Sequence, residues 1–379
     1  MAKVRYINRL DQVKGLSEET RRALAPVVDR YKFRATDYYL SLIDWNDPDD
    51  PIRRIVIPQV AEMEPFGDLD ASNEQGNYVA PGTQHKYSST AVLLCNEVCG
   101  AFCRFCFRKR LFQDDNDEVV TDVSEGIKYI RRHKEITNVL LTGGDPLLLS
   151  TRRLENVIRS VREIDHVKII RIGTKMPSFN PWRIIDDPEL LTMLARYSTP
   201  TRRIYMMTHF NVIQELTRPA IEAMVLLKQA GVEAVNQTPL LGGVNDTPER
   251  LAKLMQRLSY IGVPPYYIFQ CRPTEGNKQF AVPLVRAHRI FREAKRRVSG
   301  LAKRARMVMS HESGKVEIVG LTDSRIYMRY HRARHATDDE RFLIYRRDDK
   351  AYWLDDLVPI GPHPHPSYAA DRRHYGQLE

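Results

Sequence analysis

Apolar residues recur along most of this chain in two alternating rhythms. Short apolar runs at 90–95, 138–142, 167–172, 203–208, 233–238 and 265–271 have the length and composition of strands. Between them, apolar positions take helical spacing. Leu154, Val157, Ile158 and Val161 share one stripe, as do Leu251, Leu254, Met255 and Leu258. Thr247-Pro248-Glu249 opens the second of these helices in cap–proline–acid order, and Gly262 stops it. A helix at 220–230 stops at Gly231 in the same way. Six strands alternating with helices predict an α/β fold, a parallel sheet with right-handed crossovers in the form of a partial (β/α)6 barrel.

The pattern changes on either side of this run. Residues 1–84 read as an N-terminal helical and irregular region, with a turn-rich break at 44–51 and a polar, loop-like stretch at 67–82. The barrel is expected over 85–298. A C-terminal region follows over 299–379, with short strands at 307–309, 316–319 and 325–330. Apolar stretches at 342–345 and 351–354, split by Arg347-Asp348-Asp349-Lys350, predict a hairpin. The tail from Pro359 is rich in proline and histidine and is expected to be irregular.

With 42% hydrophobic and 28% charged residues in 379, the chain has enough apolar surface for a core. It holds no run of roughly 18 apolar residues, and its first residues lack an apolar signal segment, so no membrane association and a cytoplasmic location are expected. The net charge of +10 gathers in stretches such as 295–297 and 303–306. No aromatic-interleaved motif accompanies these, so they read as solvated helix faces and anion sites, with no nucleic-acid partner.

Candidate chemistry changes the picture most. Cys99, Cys103 and Cys106 stand at C-x3-C-x2-C spacing directly after the first strand. A structural zinc site wants four ligands, and no second cysteine pair supplies the fourth. Three cysteines can instead hold a [4Fe–4S] cluster with one iron open to a small chelator, and the spacing points to S-adenosylmethionine (SAM). Phe102 and Phe105 would shield it, whereas Cys95 and Cys271 read as core. Other polar motifs also follow strands, where chemistry gathers in such folds. Gly143-Gly144-Asp145-Pro146 is a candidate for gripping the methionine end of SAM. Arg108 is placed to hold a carboxylate at two points. Lys315, after small residues and leading into a strand, is a weak signal for a Schiff-base lysine.

These residues sit in a longer ordered series. His85-Lys86-Tyr87, the cysteine loop with Arg108-Lys109-Arg110, Thr142-Gly143-Gly144-Asp145-Pro146, Arg171-Ile172-Gly173-Thr174, Thr208-His209-Phe210-Asn211, Asn236-Gln237-Thr238, Gln270-Cys271 and Gly314-Lys315 occur in that order. The series resembles the lysine 2,3-aminomutase family of radical SAM, pyridoxal phosphate (PLP) enzymes. The resemblance implies an isomerase in which a 5′-deoxyadenosyl radical takes a β-hydrogen from an amino acid bound to PLP as an imine, and nitrogen moves from Cα to Cβ. It implies that Cys99, Cys103 and Cys106 hold the cluster and that Lys315 is the PLP lysine. Lys86, Tyr87 and Gln237 become cofactor contacts, with Gly143, Gly144, Asp145 and His209, and Arg108 would hold the substrate α-carboxylate. It further implies an amino-acid substrate, an electron donor such as flavodoxin or ferredoxin, and a homo-oligomer. A second implication is a member that modifies a translation factor or supplies β-lysine for it.

Three positions depart from the family pattern. Lysine-specific members carry aspartates where this chain has Arg272 and Val308, and an arginine expected near the PLP phosphate is replaced by Thr90. A cation facing the substrate's ammonium opposes free lysine by several kcal/mol, roughly, in a closed site. Arg272 favours an acidic side chain, such as that of glutamate, or a larger substrate.

Overall fold

The structure is a computed structural model and describes residues 4–113 and 116–361. One sheet organises it. Its strands are β1 (Tyr78–Ala80), β2 (Thr83–Tyr87), β3 (Thr90–Asn96), β4 (Asn138–Gly143), β5 (Ile169–Thr174), β6 (Ile204–Thr208), β7 (Glu233–Leu240), β8 (Pro265–Gln270), β9 (Arg306–His311), β10 (Gly314–Leu321), β11 (Arg325–Ala333) and β12 (Phe342–Arg346). Each strand lies beside its neighbour in sequence, so the spatial order is the chain order. From β3 to β9 all pairings are parallel. At one flank β1–β2–β3 run antiparallel, and at the other β9–β10–β11–β12 do. Among the described residues β1 and β12 are the terminal strands, β12 is lined by residues 358–360 through Arg346 N to Val358 O and Ile360 N to Ile344 O, and no strand pairing joins β12 to β1, so the barrel is not closed by hydrogen bonds.

The N-terminal helix α1 (Glu18–Arg30) precedes the sheet. The crossovers are covered by α2 (Ser124–Arg132), α3 (Thr151–Arg162), α4 (Pro188–Tyr197), α5 (Arg218–Gln229), α6 (Pro248–Tyr260) and α7 (Leu284–Arg296). All six predicted strand–helix units are present. Side-chain caps start four of these helices, with Ser150, Asp187, Thr217 and Thr247 each accepting a backbone N–H. Such caps are worth about 1 kcal/mol each. The predicted apolar stripes face inward, with Leu154, Ile158 and Val161 fully buried on α3 and Leu251 and Met255 on α6.

The strands show why the inner face is available for chemistry. In β5, Ile170 and Ile172 are fully buried in the core that faces the helices, while Arg171 points the other way. In β10, Val316 and Ile318 are buried and Lys315 and Glu317 alternate with them. The concave face thus carries polar groups, and the apolar core lies between sheet and helices.

Three expectations need correction. The parallel run is one strand longer than the six predicted, because β9 pairs parallel with β8 before the chain turns back. The polar stretch at 67–82 contains β1. The predicted hairpin is absent: β12 pairs with β11, and 351–354 is a buried irregular segment. There Asp356 Oδ2 accepts the backbone N–H groups of Tyr352 and Trp353 at 2.9 Å, which a strand partner would otherwise satisfy. The proline–histidine tail from 362 onward lies outside the described residues. No helix among the described residues is long and apolar enough to cross a membrane.

Candidate active site

The cysteine loop leaves the carboxyl end of β3, and its backbone is held from several sides. Phe102 N donates to Arg34 O at 2.9 Å, Arg104 N to Ile55 O at 2.8 Å, and Cys106 N to Cys103 O at 3.0 Å. Arg104, 2% exposed, reaches under the loop to the fully buried Glu62, with Nε 2.8 Å from Oε1 and Nη2 2.7 Å from Oε2. Lys109 Nζ adds a longer contact to Glu62 and donates to Gly276 O. Residues between and after the cysteines thus anchor the loop.

Cys99, Cys103 and Cys106 carry free thiols deep in the protein that keep a partial opening to solvent. Burial pushes Cys103 up to about 12 and raises Cys99 and Cys106. Thiols in that state ionise when a cationic iron centre supplies the missing charge. Three thiols on one fixed loop, with Arg108 and Lys109 beside an anionic cluster, suit a [4Fe–4S] group that keeps one iron open. Cys95 and Cys271 are free and buried in the apolar core, as predicted.

The Gly-Gly-Asp-Pro turn lies next to the loop. Gly144 packs so closely that an added Cβ would stand 2.3 Å from Val98 O. Asp145 is engaged by the protein itself: its carboxylate accepts Leu147 N at 3.0 Å, Thr174 Oγ1 at 2.9 Å and Lys175 N at 2.7 Å. Burial raises its pKa to about 6 against those bonds. Asp145 therefore ties the loops after β4 and β5 together. His209 follows β6; burial and then Lys175 pull it down to about 3, so its ring is neutral. Lys175 was not singled out from the sequence. Its Nζ bonds His209 O, Asn211 Oδ1 and Glu215 Oε1 at 2.5–2.7 Å.

Arg108 holds a carboxylate at two points, and that carboxylate is Glu74. Nε lies 2.9 Å from Oε2 and Nη2 3.2 Å from Oε1, while Nη1 bonds Thr142 Oγ1 at 3.1 Å. Arg110 and Arg272 bond the same carboxylate at 3.3 and 3.2 Å. Burial works against the charged form of Glu74, but Arg108, Arg272 and Arg110 hold its carboxyl well below the usual range. Arg272 also stacks on Phe107, its Cζ 3.9 Å from the ring centroid. Nothing in the spacing of the 67–82 stretch marks Glu74 as this shared anion.

Lys315 lies on β10, beside Ser310 of β9 and Arg332 of β11. Its ammonium sits 4.4 Å from the Tyr267 ring centroid. Gln237 of β7 is in register with Tyr267, which brings it to the same wall. Burial, then Arg171, Arg332, Lys86 and Arg272, drive the Lys315 pKa well below that of an ordinary lysine. Lys86 Nζ donates to His311 O at 2.5 Å; burial and then Arg272 pull it to about 7. Tyr87 lies under Arg332, and burial raises it to about 12. Among the described residues, Lys86, Arg171, Lys315 and Arg332 have no carboxylate within 4.0 Å. A lysine whose charged form is disfavoured, set among cations and an aromatic ring, fits an aldehyde that carries a phosphate.

These groups form one series. Cys106 feels Arg108 and Glu74, Glu74 holds Arg272, and Arg272 acts on Lys86 and Lys315. A run of charged groups therefore connects the cysteine loop to the buried lysine. Fold and site together define a class, enzymes that set a cluster loop at the mouth of an open α/β barrel. Residues 94–255 match the family model for the radical SAM superfamily. The chain is 51% identical over 359 residues to an Aquifex aeolicus protein described as "Putative L-lysine 2,3-aminomutase", covering 94% of this chain and 96% of the relative. It is 37% identical to the L-lysine 2,3-aminomutase of Clostridium subterminale, over 79% of this chain and 71% of that one. It is 35% identical to the glutamate 2,3-aminomutase of Clostridioides difficile, over 72% and 64%. The chain belongs to the lysine 2,3-aminomutase family of the radical SAM superfamily. That membership brings a [4Fe–4S] cluster and SAM, and the family's aminomutases depend on PLP.

Proposed function

We propose that this enzyme is a 2,3-aminomutase acting on a free α-amino acid whose side chain is not a cation. Cys99, Cys103 and Cys106 hold the cluster, Lys315 holds PLP, and Arg108 takes the substrate α-carboxylate in exchange for part of its grip on Glu74. The cluster and SAM supply a carbon radical, and PLP supplies an electron-delocalising partner for the migrating nitrogen. The protein's own residues orient the amino acid, keep water out and set the charge of the site.

The observation that carries the substrate reading is Arg272. It faces Lys86 and Lys315, and the carboxylate it bonds, Glu74, is shared with two further arginines. An ammonium placed there meets positive charge that Glu74 only partly offsets, whereas a second carboxylate gains an arginine fork. The family includes enzymes named for lysine and for glutamate, and Arg272 favours the acidic side chain of the second kind.

A recess lined by Arg30, Lys32, Phe102 and Phe112 reaches Cys103 and Cys106. It suits the entry of an electron from an acidic flavodoxin or ferredoxin. Five free thiols, on Cys95, Cys99, Cys103, Cys106 and Cys271, suit a reducing cytoplasm. The test is an anaerobic assay of reconstituted enzyme against glutamate, aspartate, arginine and lysine, following β-amino acid formation with SAM and PLP present. Turnover of an acidic amino acid is expected. Turnover of lysine alone would overturn the charge argument, and failure with every amino acid would overturn the aminomutase reading.

A further inference from the structure

Arg332 lies on β11, at the far flank of the sheet from β3, yet its guanidinium reaches the start of β3. Nη1 bonds Thr90 Oγ1 at 3.2 Å and Nη2 bonds Ser89 Oγ at 3.0 Å. Its Cζ stands 4.5 Å from the Tyr87 ring centroid. The backbone here is tightly packed: Gly314, paired with Ala333, has φ +152°, and a Cβ there would lie 2.4 Å from Arg332 O. Arg332 therefore links the two flanks of a sheet that backbone hydrogen bonds leave open.

What surrounds it calls for an anion. Arg332 and Arg171 both act on Lys315, and neither has a carboxylate within 4.0 Å among the described residues. Arg171 Nε donates instead to the neutral Asn138 Oδ1 at 2.8 Å. Gathering cations without a counter-ion is unfavourable until a ligand neutralises them. The hydroxyls matter as well. Arg332 donates to the oxygens of Ser89 and Thr90, which leaves both hydroxyl hydrogens to donate elsewhere. Two guanidinium groups and two hydroxyl donors form a recognition set for a phosphate monoester.

Thr90 is also the position where the family resemblance leads one to expect an arginine for the PLP phosphate. We propose that Arg332, delivered by the C-terminal strand β11 and seated on Ser89 and Thr90, supplies the phosphate-anchoring guanidinium that β3 lacks. The inference rests on the aminomutase reading for the identity of the ligand. It adds that the anchor has moved to the other flank of the sheet, so binding the cofactor's phosphate ties the C-terminal strands to the first parallel strand.

The test separates phosphate from ring. Cofactor-free protein is titrated with pyridoxal 5′-phosphate and with pyridoxal, read by absorbance of the lysine-bound cofactor, for wild type, Arg332→Ala and Arg332→Lys. A lost charge-assisted contact predicts a loss of about tenfold or more in affinity for the phosphate ester. Pyridoxal, which feels Arg332 only through Lys315 and Tyr87, loses less affinity than the ester in Arg332→Ala, and Arg332→Lys recovers part of the ester's extra loss. Inorganic phosphate should compete with the ester in wild type and less so in Arg332→Ala. Because the ratio of the two affinities is taken within each folded variant, a general loss of stability does not imitate the result. An unchanged ratio in both variants, or equal loss for both ligands, overturns the anchor while leaving the aminomutase reading intact. A wild-type chain that takes up neither ligand overturns both.

Discussion

Arg108 grips Glu74 at two points, 2.9 and 3.2 Å, with the guanidinium proposed above for the substrate carboxylate. The ligand-free site thus contains its own carboxylate, which keeps Arg108, Arg110 and Arg272 from repelling one another. Glu74→Gln leaves Arg108 and Arg272 buried without a carboxylate partner, while Arg110 keeps Glu118. A loss of roughly 3–5 kcal/mol of stability is expected from breaking a buried charge network, read by urea unfolding. The pH dependence has a definite sign. The folded pKa of Glu74 is depressed, so its contribution is fully present above the unfolded value of about 4.3 and disappears as pH falls below it. The wild-type advantage over Glu74→Gln should be flat from pH 8 to about 5 and shrink in stronger acid. An advantage that shrinks near neutrality would contradict the pairing.

Lys86 gives the same direction in a different pH window. Burial, then Arg272, hold it at about 7 in the folded protein, against about 10.4 in the unfolded chain. Between those values the unfolded chain binds a proton that the folded one does not, so stability rises with pH across the window. Relative to Lys86→Met, the ligand-free wild type should gain stability from pH 7 to 9, by at most roughly 1.4 kcal/mol per unit. Thermal melts of both proteins across that range measure it.

The cysteines divide into two sets. Alanine at Cys99, Cys103 or Cys106 should lower bound iron and sulfide after anaerobic reconstitution and abolish the cluster's low-temperature spin signal. Alanine at Cys95 or Cys271 should leave both intact, at a cost in stability of about 1 kcal/mol for a small buried side chain. Iron retained by Cys103→Ala would remove the loop from the cluster.

Arg104 and Glu62 hold the loop from beneath. Arg104→Ala strands the fully buried Glu62 with Lys109 at 3.4 Å, and a loss of roughly 3–5 kcal/mol is expected. Because the loop backbone depends on that support, the variant should also release iron to a chelator faster than wild type at temperatures where both are folded.

The sequence announced what depends on neighbours in the chain. The six predicted strands emerged within a few residues because each is a short apolar run bounded by polar turns, and α6 was marked by Thr247, Pro248 and Gly262. The cysteine triplet was legible because its spacing is local. The misread hairpin shows the limit of apolar runs: Ala351, Tyr352 and Trp353 are fully buried, but Tyr352 sends its hydroxyl to Cys271 O and Asp356 caps the backbone. Glu74 and Arg332 were silent for another reason. Their meaning arises when the sheet curves, and neither lies within 30 residues of the partner that gives it a role, Arg108 at a separation of 34 and Thr90 at 242.

The chain-order arrangement of strands also bears on how the molecule is made. Every new strand docks on the one just completed, so each pairing spans a single crossover or turn and needs no strand made later. The sheet can be laid down progressively as synthesis runs from β1 onward. The contact of Arg332 with Thr90, spanning 242 residues, breaks that rule and closes last. An unfinished chain therefore has the cysteine loop long before it has the complete cationic cage, and the radical-generating end of the enzyme is built before the end that disciplines it.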